Sequence, residues 1–244
     1  METLTLEVQE VQDLTANVYR VRLDAPEGTK LVYDAGQYLE IVLPTGETPA
    51  FSIASACDGK SLELHIQYLP ERENSKALLA LLQSGEPVQV NIPKGDCILR
   101  PTEQDHLLLI AAGTGFSQMK AMLEHAFANP TQYANKITLY WAARSSGGHY
   151  LEELVKTWDA QYANFEAVIL AEQVDTTWSG RKGHVVDALL ADHTDFSDCE
   201  VYVSGSPGMV YAVQDALEAR ELFHDRIHSD VFAYAPRTEL KELK

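Results

Sequence analysis

The sequence is short of basic residues and contains no long apolar run. It has 19 Lys and Arg residues against 36 Asp and Glu residues, and a formal net charge of −17. Proteins that bind DNA, RNA or anionic lipid need clustered Lys and Arg, so this composition argues against those partners. No apolar stretch of about eighteen residues is present, which predicts no membrane span. The amino terminus lacks the basic and apolar regions of a secretory signal, so we expect a cytoplasmic location.

Cysteine is also scarce, and the three residues Cys57, Cys97 and Cys199 lie far apart in the chain. Their spacing matches no zinc or iron–sulfur loop, and an odd number argues against a disulfide framework. We expect three reduced, buried thiols. The eight histidines form neither a His-x-x-x-His nor a His-Glu-x-x-His pattern, so the sequence predicts no metal site.

Residues 1–99 contain short segments in which apolar and polar residues alternate, separated by turn residues. Several short strands at such spacing are typical of an all-β sandwich or barrel. One helical insert is predicted at 75–82, where four leucines form an apolar stripe. The alternating segments are 5–11, 18–23, 38–43, 62–68 and 88–92.

The pattern changes near Arg100 and Pro101, after which apolar strands alternate with helical segments. Strands that are apolar on both faces, alternating with helices, predict a parallel sheet in a doubly wound α/β fold. We therefore predict two domains: a six-stranded antiparallel β-barrel at 1–101 and an α/β domain at 102–235. A flexible tail is expected at 236–244.

Three segments carry possible chemistry. The segment AAGTGFS at 111–117 lies where a buried strand turns into a helix, which suits a phosphate, although a plain strand–helix turn would look the same. The segment VSGSPGM at 203–209 occupies an equivalent place after a later strand. In FSIAS at 51–55, an aromatic beside a hydroxyl suits a flat ligand, or equally an edge strand.

Taken in order, these segments resemble the flavin reductase branch of the ferredoxin–NADP reductase superfamily, which includes bacterial flavin reductases and luciferase-associated reductases. The resemblance covers the chain from about residue 4 to residue 234. The further landmarks are AGQY at 35–38, LHI at 64–66, IPKG at 92–95, YWAAR at 140–144, WSGRKG at 178–183 and DVFAY at 230–234.

The resemblance implies hydride transfer from NADH or NADPH to the N5 atom of a flavin (FMN, riboflavin or FAD), with the flavin in the barrel. It assigns catalytic roles to Ser52 and Asp230, and makes Asp230 and Phe232 part of a terminal strand that closes over the ring. The implied flavin-binding residues are Pro49, Ala50, Phe51, Ser52, Ile53, His65, Ile66, Gln67, Lys76, Thr114, Ser117 and Phe232. The implied NAD(P)-binding residues are Gly113, Thr114, Gly115, Phe116, Trp141, Arg144, Ser204, Gly205, Ser206, Pro207 and Met209.

Three positions depart from the family pattern. The family has an arginine that grips the flavin phosphate or ribityl chain, where this sequence has Pro49, with Lys76 or Arg72 as candidate substitutes. Ser204 replaces a frequent cysteine, and Ser206 replaces a common proline. The missing arginine favours a flavin that is a substrate or a loosely bound cofactor.

Three functions remain open at this point. The first is a reductase that releases reduced flavin to a monooxygenase, a luciferase or ferric iron. The second is an electron-transfer subunit that retains its flavin and docks to a partner oxygenase, and the third is a degenerate, non-catalytic subunit. The sequence does not distinguish NADH from NADPH, because one arginine suits a ribose and a phosphate alike.

Overall fold

The computed structural model describes residues 2–15 and 17–237, which form two six-stranded sheets that follow one another along the chain. Thr238–Lys244, most of the predicted tail, lie outside the described residues. Arg237, within that predicted tail, pairs with Asp215 at 2.6 Å, and its guanidinium lies 4.3 Å from the ring centroid of Tyr211. None of the described helices is both long and apolar enough to cross a membrane.

The first sheet is antiparallel throughout, with the strand order β4-β3-β6-β1-β2-β5. Its two edges meet through a bridge between Ile53 and Leu64, so the sheet curls into a barrel. The predicted helical insert is present as α1, in the connection between β5 and β6. The elements are β1 (Glu2–Thr15), β2 (Val18–Asp24), β3 (Tyr38–Ile41), β4 (Ala50–Ser52), β5 (Ser61–Gln67), α1 (Glu73–Gln83) and β6 (Val88–Lys94).

The apolar positions of the alternating segments fill the barrel. Val21 and Leu23 of β2 and Leu62 and Leu64 of β5 are almost completely buried, while Arg22 between the first two is exposed. Successive strand residues point to opposite faces, so this alternation requires one face in the core and one in water. The prediction of a six-stranded antiparallel barrel is confirmed.

The second sheet is parallel, with the strand order β10-β9-β8-β7-β11-β12. Its strands are β7 (His106–Ala112), β8 (Lys136–Ser145), β9 (Phe165–Gln173), β10 (Arg181–Lys182), β11 (Cys199–Ser204) and β12 (Ile227–His228). Its helices are α2 (Phe116–Ala128), α3 (Glu152–Gln161), α4 (Val185–Asp192), α5 (Pro207–Glu218) and α6 (Val231–Tyr234).

Helices cover both faces of this sheet. On β7, Leu107 and Leu109 face one core cluster, which contains residues of α2 and α3. Leu108 and Ile110 face a second cluster, which contains residues of α4 and α5. A strand buried on both faces must be apolar at every position, which explains the continuous apolar run of β7. The predicted doubly wound fold is confirmed.

The strand order reverses direction at β7. From this strand the chain proceeds to β8 and β9 on one side, and later to β11 and β12 on the other. A crevice opens at the carboxyl edge of such a sheet where the order reverses, and ligands bind there in open α/β folds. The ends of β7 and β11, at Ala112 and Ser204, meet at this point.

The barrel half (residues 2–99) packs directly on the α/β half (residues 106–237). Val18, Ala35, Cys97 and Leu99 of the barrel half belong to the same buried cluster as the inner face of α2. The two halves therefore share an apolar core, which fixes the cleft between them.

All three cysteines are free. Cys97 and Cys199 are buried as expected, but the expected burial of Cys57 is wrong, because this residue lies in an exposed loop.

The predicted terminal strand at Asp230 and Phe232 is also wrong. Strand β12 ends at His228, and Val231–Tyr234 form the short helix α6. The backbone N–H of Ala235 donates to the carbonyl of Val231 at 2.9 Å, which is the hydrogen bond of an α-helical turn. Val231 is buried against α5 and β11. A short helix buries this one apolar face and satisfies its own backbone, whereas a strand would need a neighbouring strand for its backbone hydrogen bonds.

Candidate active site

A cleft of about 1060 Å³ lies between the barrel and the carboxyl edge of the parallel sheet. It is lined by β4 and β5 on one side and by the ends of β7, β8, β9 and β11 on the other. The sequence-predicted residues that line it are Ala50, Phe51, Ser52, His65, Gln67, Gly113, Thr114, Gly115, Ser117, Arg144, Ser204, Gly205, Ser206 and Met209.

Several other predicted site residues do not line this cleft. They are Pro49, Ile53, Ile66, Lys76, Phe116, Trp141, Pro207, Asp230 and Phe232. Ile53 and Ile66 point into the barrel core. Lys76 is on α1 and pairs with Glu73 at 2.7 Å, so it does not take the place of the missing arginine in the cleft. Phe232 packs instead against Tyr211, with ring centroids 5.7 Å apart.

Phe116 and Trp141 support the glycine turn from beneath. Their rings stack with centroids 3.9 Å apart, and both side chains are completely buried. The indole Nε1–H of Trp141 donates to the carbonyl of Gly113 at 3.0 Å. Both residues therefore hold the turn in place and leave its upper surface to the cleft.

The two glycine turns need their glycines for different reasons. Gly113 has a φ of +54°, in the left-handed region that glycine adopts without steric cost. A Cβ at Gly115 would lie 2.2 Å from the carbonyl oxygen of Ser204, and one at Gly205 would lie 2.4 Å from the methyl carbon of Met209. The ends of β7 and β11 thus approach so closely at Gly115 that a side chain there would separate them, whereas a side chain at Gly205 would first displace the end of the Met209 side chain.

A buried polar network backs the barrel side of the cleft. His65 Nε2 lies 2.7 Å from a carboxylate oxygen of Glu63, and His65 Nδ1 lies 3.0 Å from the hydroxyl of Tyr150. Burial opposes ionisation of Glu63, but hydrogen bonds and charge from His65 and Lys120 hold its pKa below the ordinary value. Burial lowers the pKa of His65. A neutral His65 therefore donates from Nε2 to Glu63 and accepts at Nδ1 from Tyr150.

Lys120 of α2 connects this network to the α/β half. Its side chain is only 6% exposed, and its ammonium donates to the carbonyl of Ala54 at 2.9 Å and to Glu124 at 2.6 Å. The same ammonium lies 3.3 Å from Glu63. Sequence reasoning missed Glu63, Lys120 and Tyr150; a lysine within the apolar stretch of α2 was the available signal.

Asp230 is half-buried between the two halves and does not line the cleft. One carboxylate oxygen accepts from Gln118 Nε2 at 2.8 Å, and the same amide donates to the carbonyl of Gly36 at 2.7 Å. Burial raises the pKa of Asp230 to about 6. Through Gln118, the Asp230 carboxyl group therefore links the segment before α6 to α2 and to the barrel half at Gly36.

Charged side chains gather at the ends of β8 and β9. Arg144, Glu172, His184 and Asp187 all line the cleft there. Glu172 lies 3.5 Å from His184 Nδ1, and Arg144 forms no ion pair with a described residue. Sequence reasoning identified Arg144 but missed the other three, because nothing in the local pattern distinguishes them from surface charges.

Comparison with known proteins identifies the family. Residues 109–215 match the family described as the oxidoreductase NAD-binding domain. Over 240 residues the chain is 32% identical to the NAD(P)H-flavin reductase of Vibrio harveyi, covering 95% of this chain and 99% of that protein. The chain belongs to the flavin reductase branch of the ferredoxin–NADP reductase superfamily. This branch consists of oxidoreductases that use a nicotinamide dinucleotide and a flavin.

The chain is also similar to reductases that serve oxygenases. It is 30% identical to reductase component 1 of terephthalate 1,2-dioxygenase from Comamonas, covering 90% of this chain but 65% of that protein. The chain thus spans somewhat less than two thirds of that relative's length. The crystal structure of the Amycolatopsis cytochrome P450 reductase GcoB superimposes with a TM-score of 0.85 at 27% identity, covering 93% of this chain and 68% of the other.

The α/β wall of the cleft fits the dinucleotide of this flavin reductase family. Helices α2 and α5 both begin at the cleft, and the first N–H groups of a helix favour phosphate. The hydroxyl of Ser117, in the first turn of α2, lines the cleft beside the hydroxyl of Tyr150.

The barrel wall fits a flavin ring but not a flavin phosphate. Phe51 and Ser52 are half-buried on β4, and His65 and Gln67 lie opposite on β5. An aromatic face, a hydroxyl and an amide suit a flat heterocycle with polar edges. Of the described barrel residues that line the cleft, none is a lysine or arginine.

Proposed function

We propose that this protein reduces free flavin with NADH or NADPH and releases the reduced flavin to an acceptor such as a monooxygenase, a luciferase or ferric iron. The observation that carries this proposal is the uncharged barrel wall beside a cleft that fits a dinucleotide. A phosphate of FMN or FAD would find no cation on that wall. Flavin would then bind chiefly through its ring, and exchange as a substrate does.

The chain's own residues would hold the reactants and exclude water. The bound flavin supplies the acceptor atom, N5, for hydride from the reduced nicotinamide. We infer that the Ser52 hydroxyl orients the ring by donating a hydrogen bond at its edge, with Phe51 packed beside it. The turns at Gly113–Gly115 and at Ser204–Ser206 would hold the dinucleotide, with the pyrophosphate against the N-termini of α2 and α5.

The Glu63–His65–Tyr150 network would fix the floor of the ring site. Because Glu63 is ionised and Tyr150 donates to His65, each hydrogen bond of this network has a defined donor and a defined acceptor. Lys120 ties the loop that follows β4 to α2, so the two walls of the cleft keep one separation. A fixed separation keeps two stacked rings in contact, which hydride transfer requires.

A second candidate is an electron-transfer subunit that retains its flavin and docks to an oxygenase. The similarity to the Comamonas terephthalate dioxygenase reductase component favours it. Under this hypothesis the purified protein would be yellow and would keep its flavin through dialysis. Under the first hypothesis it would be colourless.

The test follows oxidation of NADH and NADPH at 340 nm by dialysed protein, with and without added riboflavin or FMN. Turnover that requires added flavin supports the flavin reductase. Turnover of dialysed protein with an added electron acceptor, but without added flavin, would favour the docking subunit. No turnover with either nucleotide and any flavin would contradict both, and would favour a degenerate subunit.

A further inference from the structure

A group of charged side chains lies behind the barrel wall of the cleft, between β5 and α2. It consists of Glu63, Lys120 and Glu124, and we call it the charge cluster. The ammonium of Lys120 lies 3.3 Å from the carboxylate of Glu63 and 2.6 Å from that of Glu124. The side chain of Lys120 is 6% exposed, that of Glu63 22% and that of Glu124 31%. Water therefore screens only part of the field of these charges.

The charge cluster carries one net negative charge, because it contains two carboxylates and one ammonium. Burial lowers the pKa of His65, which is therefore neutral at neutral pH and adds no charge beside Glu63. The charge of Arg20 also acts on His65, but Arg20 pairs with Glu10 at 3.8 Å. The described barrel residues that line the cleft add neither lysine nor arginine.

The cluster lies next to the part of the wall where a flavin ring would bind. The antiparallel bridge that closes the barrel places Ser52 of β4 opposite His65 of β5. His65 Nε2 lies 2.7 Å from the Glu63 carboxylate, and the Lys120 ammonium donates to the carbonyl of Ala54 at 2.9 Å. This step rests on the proposed function, because it takes the barrel wall to be the flavin site.

Hydride transfer changes the charge of the ring that lies against this wall. It breaks a C–H bond of the reduced nicotinamide and forms an N–H bond at flavin N5. It leaves one negative charge on the reduced flavin and one positive charge on the oxidised nicotinamide, until water supplies a proton to the flavin. The oxidised flavin ring is neutral. A net negative charge behind the wall therefore repels the product and not the substrate.

We propose that the charge cluster makes the cleft bind reduced flavin more weakly than oxidised flavin, and so promotes release of the product. The carboxylates of Glu63 and Glu124 supply the repulsion, and the ammonium of Lys120 limits it by offsetting one of the two charges. A reductase that gives its flavin to an acceptor benefits from this difference, because a weakly bound product dissociates faster.

The experiment compares the affinities of the protein for oxidised and reduced riboflavin. Fluorescence quenching gives the Kd of the oxidised form. An anaerobic redox titration at pH 8 gives the midpoint potentials of bound and free riboflavin, whose difference gives the ratio of the two affinities. Wild-type protein is expected to bind reduced riboflavin about fivefold more weakly than oxidised riboflavin. Glu63→Gln and Glu124→Gln should each remove this difference, which raises the midpoint potential of bound riboflavin by about 20 mV.

The sign of the change separates a role of charge from a role in folding. Lys120→Gln leaves two carboxylates without their ammonium, so it should lower the potential, whereas a loss of structure would move all three variants alike. Glu124 is the most exposed member, so Glu124→Gln keeps the test valid where Glu63→Gln does not fold. Glu166→Gln is the matched control, because Glu166 also pairs with a lysine, Lys136 at 3.0 Å, but near the amino end of β9. It should keep the wild-type potential.

A wild-type protein that binds reduced riboflavin as tightly as oxidised riboflavin, or more tightly, would overturn the proposal. So would carboxylate variants with the potential of Glu166→Gln, or a higher potential for Lys120→Gln. The titration contains no nicotinamide, so its result is independent of NADH oxidation. The expected potentials without turnover of NADH or NADPH would contradict the proposed function alone. A wild-type protein that binds riboflavin in neither state would overturn both.

Discussion

Replacing Asp230 by Asn tests whether this carboxyl group acts in the interface or in the reaction. Asp230 lies between the two halves, where its side chain accepts from Gln118 and does not line the cleft. Asn keeps the size and the acceptor oxygen but never ionises. We therefore expect the variant to be more stable at neutral pH, and its turnover to stay within about threefold of wild type.

The magnitude follows from the pKa of Asp230. Burial raises it from 3.8 to about 6, so the folded state binds the proton more tightly than the unfolded chain does. The stabilising effect of the protonated form is complete below about pH 4 and is lost as the pH rises through 6. A shift of this size corresponds to about 3 kcal/mol at most. Asp230→Asn should gain this amount between pH 4 and pH 7, and nothing further above pH 7.

The assay is urea unfolding followed by tryptophan fluorescence and circular dichroism, with both proteins measured at pH 4, 5, 6, 7 and 8. Asp215→Asn is the control, because the ion pair with Arg237 lowers the pKa of Asp215 and its loss should destabilise the protein at neutral pH. A difference between wild type and Asp230→Asn that does not change with pH would refute the argument from burial. A loss of turnover of a hundredfold would instead support the catalytic role that the family resemblance implies.

The remaining predictions concern the cleft and its support. Ser52→Ala should lower kcat by about tenfold or more with little change in the Kd for NADH, measured by stopped-flow reduction and by fluorescence quenching. Pro49→Arg should bind FMN about tenfold more tightly while riboflavin affinity stays unchanged, since a new charge-assisted bond reaches only the phosphate; equal gains would point to ring contacts. Phe116→Ala should cost about 3–5 kcal/mol of stability in urea, because it leaves a cavity beneath the Gly113 turn.

The fold was predictable because its signals are local. Alternation in β2 and β5, and the continuous apolar run of β7, follow directly from one buried face or two. The turn at Gly113 was predictable for the same reason, because a strand, a glycine pair and a helix adjoin in sequence. Helix α6 was not, because the choice between strand and helix there depends on packing against α5 and β11.

The site was predictable only in part because sequence neighbours need not share a face. Trp141 and Arg144 stand three residues apart on β8, so they point to opposite sides of the strand. Arg144 lines the cleft, whereas Trp141 is buried below the turn. The partnership of His65 with Tyr150 joins two residues far apart in the chain, and no local pattern encodes it.

The charge around the barrel wall predicts how salt should affect flavin choice. Lys120 of α2 reaches the barrel half, but its ammonium is already held by Glu63, Glu124 and the carbonyl of Ala54. A flavin phosphate therefore meets an acidic protein of net charge −17 with no compensating contact on this wall. Repulsion of this kind is screened by salt, whereas contacts with the ring are not. The KM for FMN should fall between 20 mM and 300 mM salt while the KM for riboflavin stays nearly constant, so that the two converge. A KM for FMN that rises with salt would mean that a cation outside the described barrel wall binds the phosphate, and would refute this account of flavin binding.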